Sequence, residues 1–258
     1  MKKTLQQIIL FIGFVLILLI ANNSVKNYLI ANELQDYNTY LLVRTASNVI
    51  LSIVSLFVIK KLDLFELGGL TSKKTEHKKL LIFPLVFLVA LNLLFADDIS
   101  SFTTENLIIL TVYCLSIGIS EELSLRSVLL PLFIRHFGNS KKSIIKSIFV
   151  AAAIFGALHF IKFDKGIYGE VSQFLFATFI GVMFGALLII TKRIYPLIII
   201  HMLIDFAAKI DDIGSPLLES SASETSLAGA IVTTLFTLPC LFYGMYIMKK
   251  YIPEESSQ

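Results

Sequence analysis

Eight stretches of this sequence are apolar over a length comparable to a bilayer crossing, and no water-soluble fold can bury that many. A membrane-spanning helix needs about 20 predominantly apolar residues. The runs cover residues 5–21, 40–59, 80–95, 107 onward past 119, 144–161, 174–190, 197–208 and 227–248. The seventh is short, and the fourth has no clean end. Composition agrees: hydrophobic residues make up 56% of the chain and charged ones only 16%, and the charges sit between the runs. Soluble domains run at about 45–50% apolar. The expected fold is all-α, a polytopic bundle of about eight transmembrane helices, forming one membrane domain over residues 1–258. No segment between the runs is long enough to fold alone in water.

Lysine and arginine sort by loop. Cytoplasmic loops are enriched in both. The basic group is Lys2 and Lys3, then Lys60, Lys61, Lys73, Lys74, Lys78 and Lys79, then Arg135, Lys141, Lys142 and Lys146, then Lys192 and Arg193, then Lys249 and Lys250. The intervening loops carry Glu33 and Asp36, then Asp97, Asp98 and Glu105, then Asp211, Asp212, Glu219 and Glu224. Near Lys162 and Lys165 the charge is offset by Asp164 and Glu170. Alternation at every loop places both termini in the cytoplasm of a multi-pass cell-membrane protein.

Lys2 and Lys3 could open a signal peptide, but no small-x-small cleavage site follows near Ala21-Asn22-Asn23, so a retained first helix is expected. Residues 68–77 read as a cytoplasmic loop and 253–258 as a disordered tail. Cys114 and Cys240 lie inside apolar runs without CxxC spacing and read as core residues. No basic run interleaved with aromatics suggests nucleic acid. No internal repeat gives the signature of many transporters.

Ionisable groups inside a span are costly, by about 2.5–3.5 kcal/mol on insertion scales, and are functional candidates by default. The first set is Glu121-Glu122-Leu123-Ser124-Leu125-Arg126, flanked on both sides by apolar sequence. One tilted helix from about 107 to about 133 is expected. Glu122 and Arg126 then share a face and pair. Glu121, turned by about 100°, is expected to face a different partner. An ion-pair staple between helices would need one of these glutamates, not two. The second is His159, with Phe155 one turn before it and small residues at Ala151, Ala152, Ala153 and Gly156. Its structural alternative is a hydrogen bond to a neighbouring helix. The third is His201 with Asp205, again one turn apart, where the carboxylate would orient the imidazole. Arg44, near the outer end of the second run, is expected to snorkel to the headgroups. His77 and His136 sit in or beside basic loops and receive no role. Measured from Arg135, Lys146 and Arg193 as interface markers, Glu121 and His159 lie about 20 Å deep and His201 about 12 Å.

A carboxylate and two histidines on three helices have two natural uses. Glu121 could act as general base on water, with the histidines binding the oxyanion or donating a proton. Alternatively His159 and His201, with Glu121, could hold a divalent metal such as zinc that acidifies the water. Both lead to hydrolysis of a peptide bond. The paired-histidine zinc-protease signature is absent, as is a GxSxG elbow.

These residues resemble the motifs of the CAAX-protease and bacteriocin-processing (Abi) family of membrane proteins. Its Glu-Glu-x-x-x-Arg is matched by Glu121, Glu122 and Arg126, its Phe-x-x-x-His by Phe155 and His159, and its His-x-x-x-Asn/Asp by His201 and Asp205, in the family's order. The resemblance covers about 107–206, the expected catalytic core. It implies an intramembrane endopeptidase of glutamic or metallo type acting on a peptide or membrane-protein substrate within the lipid bilayer. Glu121 would be the base, Glu122 and Arg126 would shape the site, and His159, His201 and Asp205 would complete it. Eukaryotic members trim prenylated proteins. Bacterial members are linked to peptide maturation, bacteriocin immunity or surface-protein handling. Two positions depart from the pattern: Ser127 stands where many members have Gly, and Asp205 where Asn is commoner. A non-proteolytic scaffold or immunity protein and a proton-coupled transporter are the competing readings.

Overall fold

The structure is a computed structural model that describes residues 2–32, 34, 36–96, 102–161, 165–215 and 224–254. Glu33, Asp97, Asp98, Lys162, Asp164, Glu219 and residues 255–258, used in the loop and tail readings above, lie outside the described residues.

Eight helical rods follow one another, and the described residues contain no strand. They are α1 (Lys2–Ala31), α2 (Tyr37–Leu62), α3 (Ile82–Leu94), α4 (Thr104–Phe137), α5 (Lys141–Leu158), α6 (Gly166–Thr191), α7 (Tyr195–Ala207) and α8 (Leu227–Tyr251). Six of them, all but α3 and α7, are long and apolar enough to cross a membrane. The chain is a multi-pass membrane protein. The two short helices have 13 residues each, about 20 Å of rise. The shortness of the seventh run is therefore real.

Helix ends follow local chemistry. Asp36, Thr103, Ser140 and Ser226 each accept a backbone N–H from the turn that they open. Oxygen side chains at this position satisfy donors that the helix itself leaves free. At the basic end, α2 stops where Asp63 turns left-handed, at φ 50°. Arg135, from the end of α4, donates to the carbonyls of Leu62 and Asp63.

The core is built around α6 and the second half of α4. Val182, Met183, Phe184, Ala186 and Leu187 are fully buried, and so is every residue from Glu122 to Ile134. In contrast, α1, α3 and α8 keep broad apolar outer faces, including Ile9, Leu10, Val86 and Phe242. A helix that is apolar on all sides is buried or faces lipid. Those outer faces are the lipid boundary.

Candidate active site

The long fourth rod departs from α geometry where its charges lie. Residues Glu122–Leu129 form a π-helical stretch, and Leu130 donates to the carbonyl of Leu125, five residues back. Pro131 gives the local reason: it has no N–H, and its ring clashes with the carbonyl four residues before it in an α-helix. Widening the ladder just upstream removes that conflict. π turns are rare and occur frequently at functional sites.

The backbone at Glu121 and Glu122, just where the widening begins, is still α-helical. Glu121 and Glu122 do not diverge to separate partners. Both carboxylates reach the same imidazole, that of His201 on α7. Glu122 Oε1 lies 2.8 Å from His201 Nδ1. Glu121 Oε2 lies 3.5 Å from Nε2. The expectation of different partners for the two glutamates is thus corrected: the two side chains approach opposite nitrogens of one ring.

Close helix contact makes the reach possible. A Cβ added to Gly118 would stand 2.7 Å from the carbonyl oxygen of Ile198, so any other residue there would push α4 away from α7. Farther along the same rod, Ser127 donates to the carbonyl of Gly68 at 2.7 Å, which pins the 63–77 loop against the π segment. The departure at Ser127 therefore has a structural use.

Glu122 and Arg126 pair as their spacing predicts. Arg126 Nη1 is 3.0 Å from Glu122 Oε1, with side-chain exposures of 4% and 0%. Among the described residues, neither terminal nitrogen of Arg126 nor Glu122 Oε2 has an aligned hydrogen-bond partner. Arg126 is held instead by aromatic faces: its guanidinium lies 5.0 Å from the Phe155 ring centre and 5.4 Å from that of Phe184. The negative ring faces favour the cation, by about 2 kcal/mol or more where water is excluded. Phe184 also meets the His201 ring edge-on at 5.9 Å.

Asp205 lies on the face of α7 that its spacing predicts, but it is not the group that orients His201. Its Oδ2 is 3.9 Å from Nε2, while Oδ1 pairs with Lys209 at 3.3 Å. Glu122 holds the imidazole. Lys209, one turn beyond Asp205, supplies the countercharge for the additional carboxylate at that position. Sequence reading passed over Lys209, although its one-turn spacing from Asp205 was there to be read.

Arg44 also differs from expectation. It does not extend to the headgroups. Its Nε is buried, Tyr113 of α4 is a hydrogen-bonding partner, and Glu121 lies close enough for their charges to interact. Asn48, one turn further along α2, donates to Ser116 of α4 at 2.9 Å.

His159 stands in the 3-10 turn that ends α5. Its Nδ1 is 3.0 Å from the carbonyl of Phe155, and its ring meets the Phe155 ring edge-on at 5.0 Å. Phe155 carries Arg126 on its face, so His159 adjoins the cluster through one aromatic ring. The metal set of His159, His201 and Glu121 is not assembled: among the described residues no three His, Cys, Asp or Glu side chains are placed to hold a metal ion. The donor set does not fit a resident metal, and no step below uses one.

Exposure grades the cluster. Glu122 is sealed, His201 is 12% exposed and Glu121 is 32% exposed. A partly exposed carboxylate thus faces one nitrogen of an imidazole whose other nitrogen is fixed by a buried carboxylate.

Comparison with known proteins bears on this segment. Residues 103–207 match the family model described as type II CAAX prenyl endopeptidase Rce1-like. The matched stretch contains every residue of the three motifs, and the resemblance read from those motifs stands. No curated protein and no solved structure matches the chain.

Proposed function

From a bundle whose residues 103–207 are Rce1-like, we propose that the chain is an intramembrane endopeptidase that hydrolyses peptide bonds by glutamate-activated water. The observation that carries this reading is the 3.5 Å approach of the partly exposed Glu121 to His201 Nε2, with Nδ1 held by Glu122 at 2.8 Å. The four roles divide by position. Arg126 pairs with the Glu122 carboxylate in a dry setting. Glu122 accepts the Nδ1 proton of His201 and so fixes the ring's tautomer and tilt, as partners of functional histidines do. Nε2 is left free to face the reaction. Glu121 takes a proton from water as the water attacks the scissile carbonyl. His201 Nε2, when protonated, stabilises the oxyanion and can pass a proton to the leaving amine. His159 is placed as a further polar group at the edge of the site, and Asp205 with Lys209 tunes the charge around Nε2.

The bilayer limits what can reach such a site. A peptide or membrane-protein segment must enter from lipid or from a membrane face, and apolar modification of the substrate would favour that entry. The catalytic core is taken as 107–206, and the other helices as its frame and lipid boundary. Both termini are placed in the cytoplasm by the alternation of basic loops.

The test uses purified full-length protein in lipid nanodiscs with prenylated and leader-type peptides, read by mass spectrometry of the products. Wild type is expected to cleave at least one class. Glu121→Gln is expected to lose at least about 10²-fold, the scale of general-base catalysis. Cleavage is expected to persist in chelator. Undiminished cleavage by Glu121→Gln would remove Glu121 as the base, and abolition by chelator would replace the glutamate mechanism with a metal one.

A further inference from the structure

Away from the site, the basic end of the bundle holds a concavity. It is a cleft of about 780 Å³ lined by Lys73, Lys74, Lys78, Lys79 and Arg193, with no carboxylate in its lining. A volume of that size lies within the range of small-ligand sites. Proteins seldom gather this many like charges around a hollow without a counter-ion.

The wall is fixed rather than loose. Glu76 donates its N–H to the carbonyl of Thr191 at 3.1 Å, Ile194 donates to Gly69 at 3.1 Å, and Tyr243 donates its hydroxyl to Leu80 at 2.9 Å. Arg193 also donates to the carbonyl of Lys73. His77 takes a left-handed conformation, at φ 43°, and its ring lies 4.7 Å from that of Tyr251 at the end of α8. Segments from the 63–77 loop, the α6–α7 turn and α8 thus meet around one volume.

The charges divide into used and unused. Lys73 pairs with Glu66 at 2.5 Å, and the neighbouring Lys192 with Glu76 at 2.9 Å. Lys74, Lys78 and Lys79 are exposed and have no ion-pair partner among the described residues. Immediately beyond Lys79 the chain enters the bilayer as α3, whose Ile82, Leu85 and Val86 are exposed apolar residues. Helix α8 runs beside it, with Phe83 stacked on Tyr243 at 4.3 Å, and it exposes Phe242 and Met245. Cations at the mouth and an apolar track directly below it match the two halves of an anionic lipid.

We infer that this cleft binds the phosphate-bearing headgroup of an anionic phospholipid from the adjoining leaflet, with its acyl chains along α3 and α8. Basic pockets between helices at the cytoplasmic surface recognise such headgroups, and each lysine near the surface contributes roughly a fivefold gain in binding. A soluble phosphate compound would gain nothing from the exposed α3 track. The inference stands apart from the proteolytic reading and does not use the Glu121 cluster.

The experiment is native mass spectrometry of the full chain released from vesicles of phosphatidylcholine with phosphatidylglycerol. The variant Lys74→Gln/Lys78→Gln/Lys79→Gln is compared with a control of equal charge change, Lys2→Gln/Lys60→Gln/Lys142→Gln. Melting in detergent serves as the check that both fold. Wild type and control are expected to retain bound phosphatidylglycerol, with the cleft variant weaker by on the order of a hundredfold. Equal retention by cleft variant and control, or no preference for phosphatidylglycerol over phosphatidylcholine, would overturn the site. Saturable binding of glycerol 1-phosphate as tight as that of the lipid would overturn the lipid as its ligand. Should the triple variant not fold, Lys78→Gln alone is measured, with roughly a fivefold loss expected and no loss counting against the proposal.

Discussion

Replacing Arg126 with alanine removes the guanidinium paired with Glu122, and its effect on stability can be bounded. The Glu122 side chain is 0% exposed and that of Arg126 is 4% exposed, so no solvent is available to take over the charge. Breaking a buried ion pair by deleting one partner costs about 3–5 kcal/mol. Loss of the guanidinium from between Phe155 and Phe184 adds the ring contacts at 5.0 and 5.4 Å, about 2 kcal/mol more. Against a typical total of about 5–15 kcal/mol, the variant should be severely weakened. Removing both charges should be much milder: Glu122→Gln/Arg126→Met leaves no unpaired buried ion and is expected to recover most of the loss. It should not recover cleavage, because the amide no longer fixes the His201 ring as a carboxylate does. The assay is unfolding of the purified variants in bicelles, followed by intrinsic fluorescence, beside peptide cleavage by the folded fraction. If Arg126→Ala unfolds within about 1 kcal/mol of wild type, or if the double variant is no more stable than the single, the pairing argument is wrong.

Two further outcomes follow from the same geometry. Gly118→Leu should separate α4 from α7, because even a methyl group would stand 2.7 Å from the Ile198 carbonyl. Overpacking of this kind costs about 1–3 kcal/mol, and loss of cleavage beyond the loss of folded protein, measured per mole of folded enzyme, is the expected result. Asp205→Asn restores the commoner residue but strips Lys209 of its partner at 3.3 Å. Since Lys209 is about a third exposed, the stability cost should stay under about 1 kcal/mol. Adding Lys209→Leu should return cleavage towards wild type, and a deeper loss in the double variant would show that Asp205 acts directly.

Much of this was readable from the chain. Apolar runs of bilayer length dictate helices, since lipid offers no partner for a bare peptide group. The rods fall where the runs lie, and the missing end of the fourth run is the 34-residue Thr104–Phe137 rod. Charge inside a span marked the candidate residues, since it has no cheap reason to be there. One-turn spacing placed Arg126 beside Glu122 and His159 beside Phe155.

Packing decided the rest. Pro131 gives a local reason for widening but does not by itself set it between Glu122 and Leu129, where the π stretch also packs against other rods. Two adjacent glutamates share one histidine because α7 lies against this part of α4. Arg44 turns inward to Tyr113 of α4, a neighbour that sequence spacing within α2 cannot reveal. Local periodicity fixes which face of a helix a side chain occupies. Which helix lies against that face, and at what distance, is set only when the whole bundle closes.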